Sequence, residues 1–343
     1  MNLKSRKTLI LISIFLIAIL AISTISFVSA ATKTIGPKTP GGLKKAIDSA
    51  KNGDTIKLKN GVYSGTRNTK ISITKSITIR GLGSKVILDG KKKNRIFLIN
   101  KKSVNVKFLN LKFRNGYIKG KLSKNTGGGA IYSSKGTLTL SKCSFTNNRA
   151  SSAGGGAIAI ENKKLTANKC TFKNNRADGS GAAINSLKSK LVLTSNTFTN
   201  NRVKGNGGAI DLWYGSSTMN KCTFKNNQAN ICGGAINIFF NKANVKKSTF
   251  TSNRAITGGG GAIKILGSQG YKVGSLTVSG TTFTSNKANL PGGAILGTGR
   301  PIKIMNSNFK SNIAAKVYNA IDSPKNSLTL QNVKITPTDG SKV

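Results

Sequence analysis

Five residues of the 343-residue chain stand in a pattern that could bind or react: Asp211, Trp213, Asn237, Phe239 and Lys264. Asp211 and Asn237 are 26 residues apart, as are Trp213 and Phe239, and Lys264 follows Asn237 by 27. Aromatic rings beside an amide and a carboxylate suit a sugar ring or a protein partner, because the rings offer apolar area and the polar groups fix orientation. Lys264 is the nearest candidate base should the cluster support a metal-free elimination. Two basic series keep the same period. One is Arg149, Arg176, Arg202 and Arg254, with Gln228 in the fourth place and Lys287 and Ile313 after it; the other is Lys142, Lys169, Lys221 and Lys247, with Ser195 in the third place. Regularly spaced cations attract an anionic polymer. They also keep a sheet surface soluble, so the rows carry both readings.

The composition limits the chemistry further. The chain has 55 Lys and Arg against 8 Asp and Glu, no His, and a net charge of +47. Without His there is no Ser-His-Asp triad, no Cys-His pair and no His-ligated zinc or haem. Eight carboxylates leave little room for a calcium cluster or for two-carboxylate hydrolysis. Asp211 has no acidic neighbour one period away, and Glu161 lies two periods off. Cys143, Cys170, Cys222 and Cys232 form no CxxC, which argues against a thiolate metal site. No cofactor or metal is expected. Hydrophobic residues make up 37% of the chain, too many for a disordered polycation.

An internal repeat must position these residues. A Gly-Gly-Ala-Ile phrase recurs at Ile131, Ile158, Ile184, Ile210, Ile236, Ile263 and Ile295; a Phe-x-(Asn/Ser)-Asn phrase recurs at Phe145, Phe172, Phe198, Phe224, Phe250, Phe283 and Phe309. Fixed periods of this size mean a solenoid. Inside a repeat the apolar residues alternate, as in Thr137-Leu138-Thr139-Leu140, and Gly or Asn marks the corners. Three short strands per 26-residue unit give an all-β, right-handed parallel β-helix, with coils about 4.8 Å apart. The repeated Ile and Phe should form inward ladders. Asn148, Asn175, Asn201, Asn227, Asn253, Asn286 and Asn312 should stack at a corner, where Asn tolerates the left-handed conformation and bonds to neighbouring coils. Cys143, Cys170 and Cys222 should point inward. Cys143 and Cys170 are close enough for a disulfide, but parallel side chains are poorly aimed for one, and a buried thiol ladder is favoured. Alternation with Ile210 and Leu212 places Asp211 and Trp213 on the outer surface. Thr pairs such as Thr197/Thr199 and Thr249/Thr251 also face out, as ordinary β-propensity on a solvent face.

The ends differ from the middle. Lys4, Arg6 and Lys7 precede an apolar run from Leu9 to Val28, and Val28-Ser29-Ala30 fits signal peptidase cleavage after Ala30. The run is long enough to serve instead as an uncleaved anchor. Residues 1–30 are therefore expected to be a signal peptide, and 31–53 an N-terminal segment. In that segment Leu43, Ala46, Ile47 and Ala50 share one face of an amphipathic helix that caps the open solenoid end. Irregular first coils follow over 54–127, regular coils over 128–320, and a last coil with a tail over 321–343.

The phrases Gly53-Asp54-Thr55-Ile56, Gly61-Val62-Tyr63 and Ile87-Leu88-Asp89-Gly90 resemble the first coils of pectin-lyase-like right-handed β-helix proteins. The paired Gly-Gly-Ala-Ile and Phe-x-x-Asn phrases resemble the polymorphic outer membrane protein repeat, found in adhesin-like surface proteins. Together the resemblances cover roughly residues 41 to 335. They imply a secreted, cell-surface, adhesin-like, non-catalytic protein, with a polysaccharide lyase or hydrolase of the same fold as the rival. The expected partner is an anionic glycan, a cell-wall polymer, or a host or neighbouring cell surface. Nucleic acid would match the charge, but export argues against it as the physiological partner. No membrane contact beyond the N-terminal segment is expected, and the protein is expected to be a monomer.

Overall fold

The computed structural model describes residues 30–119, 127–151, 153–267, 274–315 and 320–336. The expected export segment and the end of the C-terminal tail lie outside these residues. The described chain is a parallel β-solenoid of about 11 turns. Each coil stacks on the last through in-register parallel strands. Ile131 pairs with Ile158, then come Ile184, Ile210, Ile236, Ile263, Ile295 and Ile321.

A regular coil carries four strands rather than the expected three. In one coil these are Ile131–Ser133, Thr137–Ser141, Ser144–Thr146 and Arg149–Ser151. The fourth belongs to a separate eight-stranded sheet, while the others join a 29-stranded sheet. Two or three residues with a single inward Ala are too short to show period-two alternation, so the sequence does not announce this strand. On two coils the first pair of strands merges into 11-residue strands, Ile184–Thr194 and Ile210–Asn220.

The interior is built from ladders. Phe113, Phe145, Phe172, Phe198, Phe224, Phe250, Phe283 and Phe309 are buried, with successive ring centroids 4.6–4.9 Å apart and ring planes within 8° of parallel. Burying one such ring is worth about 2–3 kcal/mol on transfer grounds. The asparagine ladder is also interior. Asn175 Nδ2 donates to Asn201 Oδ1 at 3.0 Å and to Phe145 O at 3.0 Å, and its backbone N–H donates to the same Oδ1. The pattern continues to Asn312.

One expectation needs correction here. The ladder residues do not hold the left-handed corner. The preceding residues do: Asn147, Asn174, Asn200 and Asn226 have φ of 54–56°, while Asn148 and its equivalents point into the core. The two roles need different backbones, and a consecutive Asn pair supplies both.

The two ends are unlike. The helix Gly42–Ser49 lies over the N-terminal coil, with Leu43, Ala46 and Ile47 buried and Leu43 N–H donating to Asn68 Oδ1. At the other end Leu328–Thr336 pairs, among the described residues, only with Ile302–Lys310, and Leu330 is exposed.

Candidate functional site

The Arg row lies on the second sheet. Arg149 pairs with Arg176, then Arg202, Gln228, Arg254 and Lys287. The strands are tied down beneath by the buried Ala150, Ala177, Val203, Ala229 and Ala255, so the cations project outward at one per coil. Arg149, Arg176 and Arg202 line an open groove of about 820 Å³, together with Lys92, Tyr117 and the corner asparagines Asn147, Asn174 and Asn200. A smaller groove of about 250 Å³ holds Arg254 and Lys287 beyond Gln228. Asp178 lies 3.7 Å from Arg149 and 3.6 Å from Lys204. Lys142, Lys169, Lys221 and Lys247 stand exposed at another corner.

The Asp211 cluster is assembled differently from the expectation. The column order is as expected: Asn185, Asp211, Asn237 and Lys264 are in register, as are Leu187, Trp213, Phe239 and Leu266. Trp213 is 38% exposed and its ring centroid lies 4.4 Å from that of Phe239. Asp211 and Asn237, however, are buried although they face away from the solenoid core. The glycine-rich segment before each Ala-Ile phrase folds back over the outer side of the strand and covers this column. Gly207 shows why glycine is needed: its φ is 68°, and a Cβ there would lie 2.2 Å from Ile210 O. Alternation gave the direction of Asp211 correctly, and the loop removed its solvent.

The buried carboxylate is well partnered. Asn237 Nδ2 donates to Asp211 Oδ1 at 2.7 Å, Asn185 Nδ2 donates to Oδ2 at 3.2 Å, and the Trp213 side chain donates as well. Burial nevertheless outweighs these bonds and pushes the Asp211 carboxyl up to about 7. Lys264 turns elsewhere: its Nζ donates to Cys232 Sγ at 3.2 Å. The structure thus brings Asp211, Asn237, Trp213 and Phe239 together and directs Lys264 away from the carboxylate.

Residues the sequence did not single out complete the aromatic region. Tyr214 and Phe240 stack at 5.3 Å, with the Lys188 ammonium 6.0 Å from the Tyr214 ring centre and the Arg300 guanidinium 5.9 Å from that of Phe240. Their adjacency to Trp213 and Phe239 was the available signal. The four cysteines are free and buried, so Cys143 and Cys170 are thiols. Burial pushes Cys222 up to about 11 and raises Cys143 as well, which leaves neither as a ready nucleophile.

A family described as "Right handed beta helix region" matches residues 49–283. No curated protein matches the chain. Among solved structures, polygalacturonase from Erwinia carotovora ssp. carotovora is similar with a TM-score of 0.48 and 15% identity, over 91% of this chain and 94% of that one. A mannuronic acid specific polysaccharide family 6 lyase enzyme from human gut microbiota is similar with a TM-score of 0.36 and 11% identity, over 91% of this chain and 84% of that one.

Proposed function

Because the chain belongs to the right-handed β-helix family, whose signature spans residues 49–283, we propose that it works as a rigid binding rod: a secreted, cell-surface, adhesin-like and non-catalytic protein that holds an anionic glycan or cell-wall polymer. The observation that carries this reading is the groove lined by Arg149, Arg176 and Arg202. Guanidinium groups pair with carboxylate or sulfate through paired N–H donors. Because the strands beneath are paired in register, the three Cα positions are spaced by the coil repeat before the ligand arrives, which lowers the ordering cost of binding to that of the side chains. The exposed ring of Trp213 offers a separate stacking surface for a sugar face.

The rival reading is a polysaccharide lyase or hydrolase. Burial of Asp211 weighs against it, since a general acid or base must touch the proton it transfers. The orientation of Lys264 toward Cys232 weighs against it too.

The test is binding of polygalacturonate and a sulfated glycan to the protein at several salt concentrations. Affinity should fall steeply with salt, and Arg149→Ser/Arg176→Ser/Arg202→Ser should lower it at least about tenfold. Unchanged affinity in that variant removes the groove from the function. Release of unsaturated sugar that stops in Lys264→Ala would establish the enzyme instead. Trp213→Ala should weaken binding about two- to fivefold, at roughly 1 kcal/mol or less, without unfolding the protein.

A further inference from the structure

The outer face of the first strand carries one residue per coil, in the order Tyr132, Ala159, Asn185, Asp211, Asn237, Lys264 and Leu296. Three neighbours in this column have complementary chemistry. Asp211 is an acid, Asn237 an amide and Lys264 a primary amine, and successive coils hold them in register at about the 4.8 Å spacing of paired strands. Asn185, the other amide bonded to Asp211, has Ala159 on its far side and so has no nucleophile beside it in the column. Asn237 alone stands between an acid and an amine.

The glycine-rich segment of each coil covers the column residue of the coil that follows. A Cβ on Gly154 would lie 2.6 Å from Asn185 Nδ2, and one on Gly259 would press on Leu296 Cδ2. In the same relation Cys232 lies over Lys264, and the 3.2 Å bond from Nζ to Sγ holds the amine against this cover. The Cys232 N–H in turn donates to Asn206 Oδ1 at 3.1 Å, in the preceding segment. Lys264 is half-buried and in no ion pair among the described residues. Asp211 and Asn237 are buried. Water is thus largely kept from an acid, an amide and an amine that a condensation would join.

We infer that Asp211, Asn237 and Lys264 are the machinery of an intramolecular isopeptide bond, which Lys264 Nζ forms with Asn237 Cγ and which staples two adjacent coils. Moving Nζ from Cys232 to Asn237 asks only for rotation about the side-chain bonds of Lys264, because Asn237 and Lys264 are direct register partners. The ammonium first gives one proton to solvent base. The amine then attacks Cγ while the protonated Asp211 carboxyl donates to Oδ1. The two orientations of an asparagine amide have nearly the same shape, and the one with Oδ1 toward Asp211 receives this proton. The tetrahedral carbon expels Nδ2 as ammonia, with one Nζ proton relayed to it through Asp211, which ends protonated as it began. One C–N bond forms, one breaks, and nothing is oxidised or reduced. Burial supports the acid's part, because it pushes the Asp211 carboxyl up to about 7 and leaves a large share protonated in neutral water. The closed ring spans residues 237 to 264, one coil of the solenoid. All four cysteines are free thiols, so the tie is independent of redox state. The hydrogen-bonded column is the state before closure, and stability comparisons at Asp211 and Asn237 are made on the full-mass form.

The test is the intact mass of the purified protein, kept for several days in neutral buffer, followed by fragment sequencing. The parent should become lighter by one ammonia and yield a branched fragment joining Asn237 to Lys264. Lys264→Arg and Asn237→Ala should keep the full mass. Asp211→Asn preserves shape but supplies no acid, and should slow the loss at least about a hundredfold. Circular dichroism on Lys264→Arg and Asp211→Asn separates a lost bond from a lost fold. Full mass in the parent throughout overturns the inference. Equal loss of ammonia in Lys264→Arg overturns it too, and would assign the loss to Asn-Gly pairs such as Asn206-Gly207. Closure at the parent rate in Asp211→Asn would remove the acid from the reaction and sink the assignment of the three residues.

Discussion

Two columns built around asparagine run along this solenoid, one facing the core at the corner between the third and fourth strands and one facing outward on the first strand. The inner column, from Asn148 to Asn312, faces the core; each amide donates to the next one along and to a backbone carbonyl. The outer column, Asn185, Asp211 and Asn237, faces away from the core; glycine-rich segments fold over it and bury Asp211 and Asn237, while Asn185 is half-buried. The inner column is neutral and unbroken. The outer one carries a carboxylate at its centre, where three N–H donors converge but solvent does not reach. An amide ladder alternates donor and acceptor along its length, so no charge needs compensation. A carboxylate offers only acceptors, and its burial is compensated in part. The inner column is therefore a source of stability, while the outer one is a local cost retained beside an exposed tryptophan.

Mutations can break or sharpen this contrast. The largest effect is expected from Asn201→Ala, which takes away the acceptor of the Asn175 backbone N–H and side-chain amide, one of the donors to Asn227 Oδ1, and the donor to Phe172 O. A loss of about 4 kcal/mol by urea denaturation would fit several buried groups left unpaired. A loss below about 1 kcal/mol would mean that the ladder carries little. Next comes the pH dependence of Asp211. Its folded-state value, about 7, lies above the ordinary 3.8 of an unfolded chain. The folded protein therefore holds a proton that the unfolded chain releases, and stability is fully present below pH 4 and falls as pH rises toward 7. The drop should be about 3 kcal/mol, within the 1.36 kcal/mol that each unit allows. With no His in the chain, the neutral range is otherwise sparsely titrated. Asp211→Asn should flatten the profile and be more stable than the parent at pH 8; an unaltered slope would place the titration elsewhere. The smallest effect is expected from Asn237→Ala, which removes the 2.7 Å donor to Asp211. It should cost about 2 kcal/mol at pH 8 and clearly less at pH 4.5, because hydrogen bonds to a charged group are the stronger ones. Equal losses at both pH values would mean that Asp211 is neutral throughout.

The contrast also marks where the sequence can be read. The inner ladders were legible because the period brings like residues together and alternation says which way each points. The N-terminal cap was legible from the spacing of Leu43, Ala46, Ile47 and Ala50. Alternation specifies direction relative to the strand, however, and not what lies beyond it. Asp211 and Asn237 face outward as read, yet only the path of the glycine loops decides their access to water. The same limit hid the Arg strand, whose two or three residues are too few to show a period. It also hid the left-handed corner, which falls on Asn147 rather than Asn148 because two adjacent asparagines look alike until the backbone separates them.

Trp213 is the sole tryptophan of the chain. Its indole leans on Phe239 and donates to Asp211, and more than a third of its surface is open to water. Tryptophan emission, excited at the red edge where tyrosine does not absorb, therefore reports on one place, without any label. Ionisation of the carboxylate beneath the ring changes the field at the indole, and a sugar or polymer settling on the ring changes its hydration. A titration followed by emission would register the first, and quenching by a small soluble anion would register the second. The protein carries its own optical probe at the point where its least comfortable charge and its most accessible aromatic surface meet.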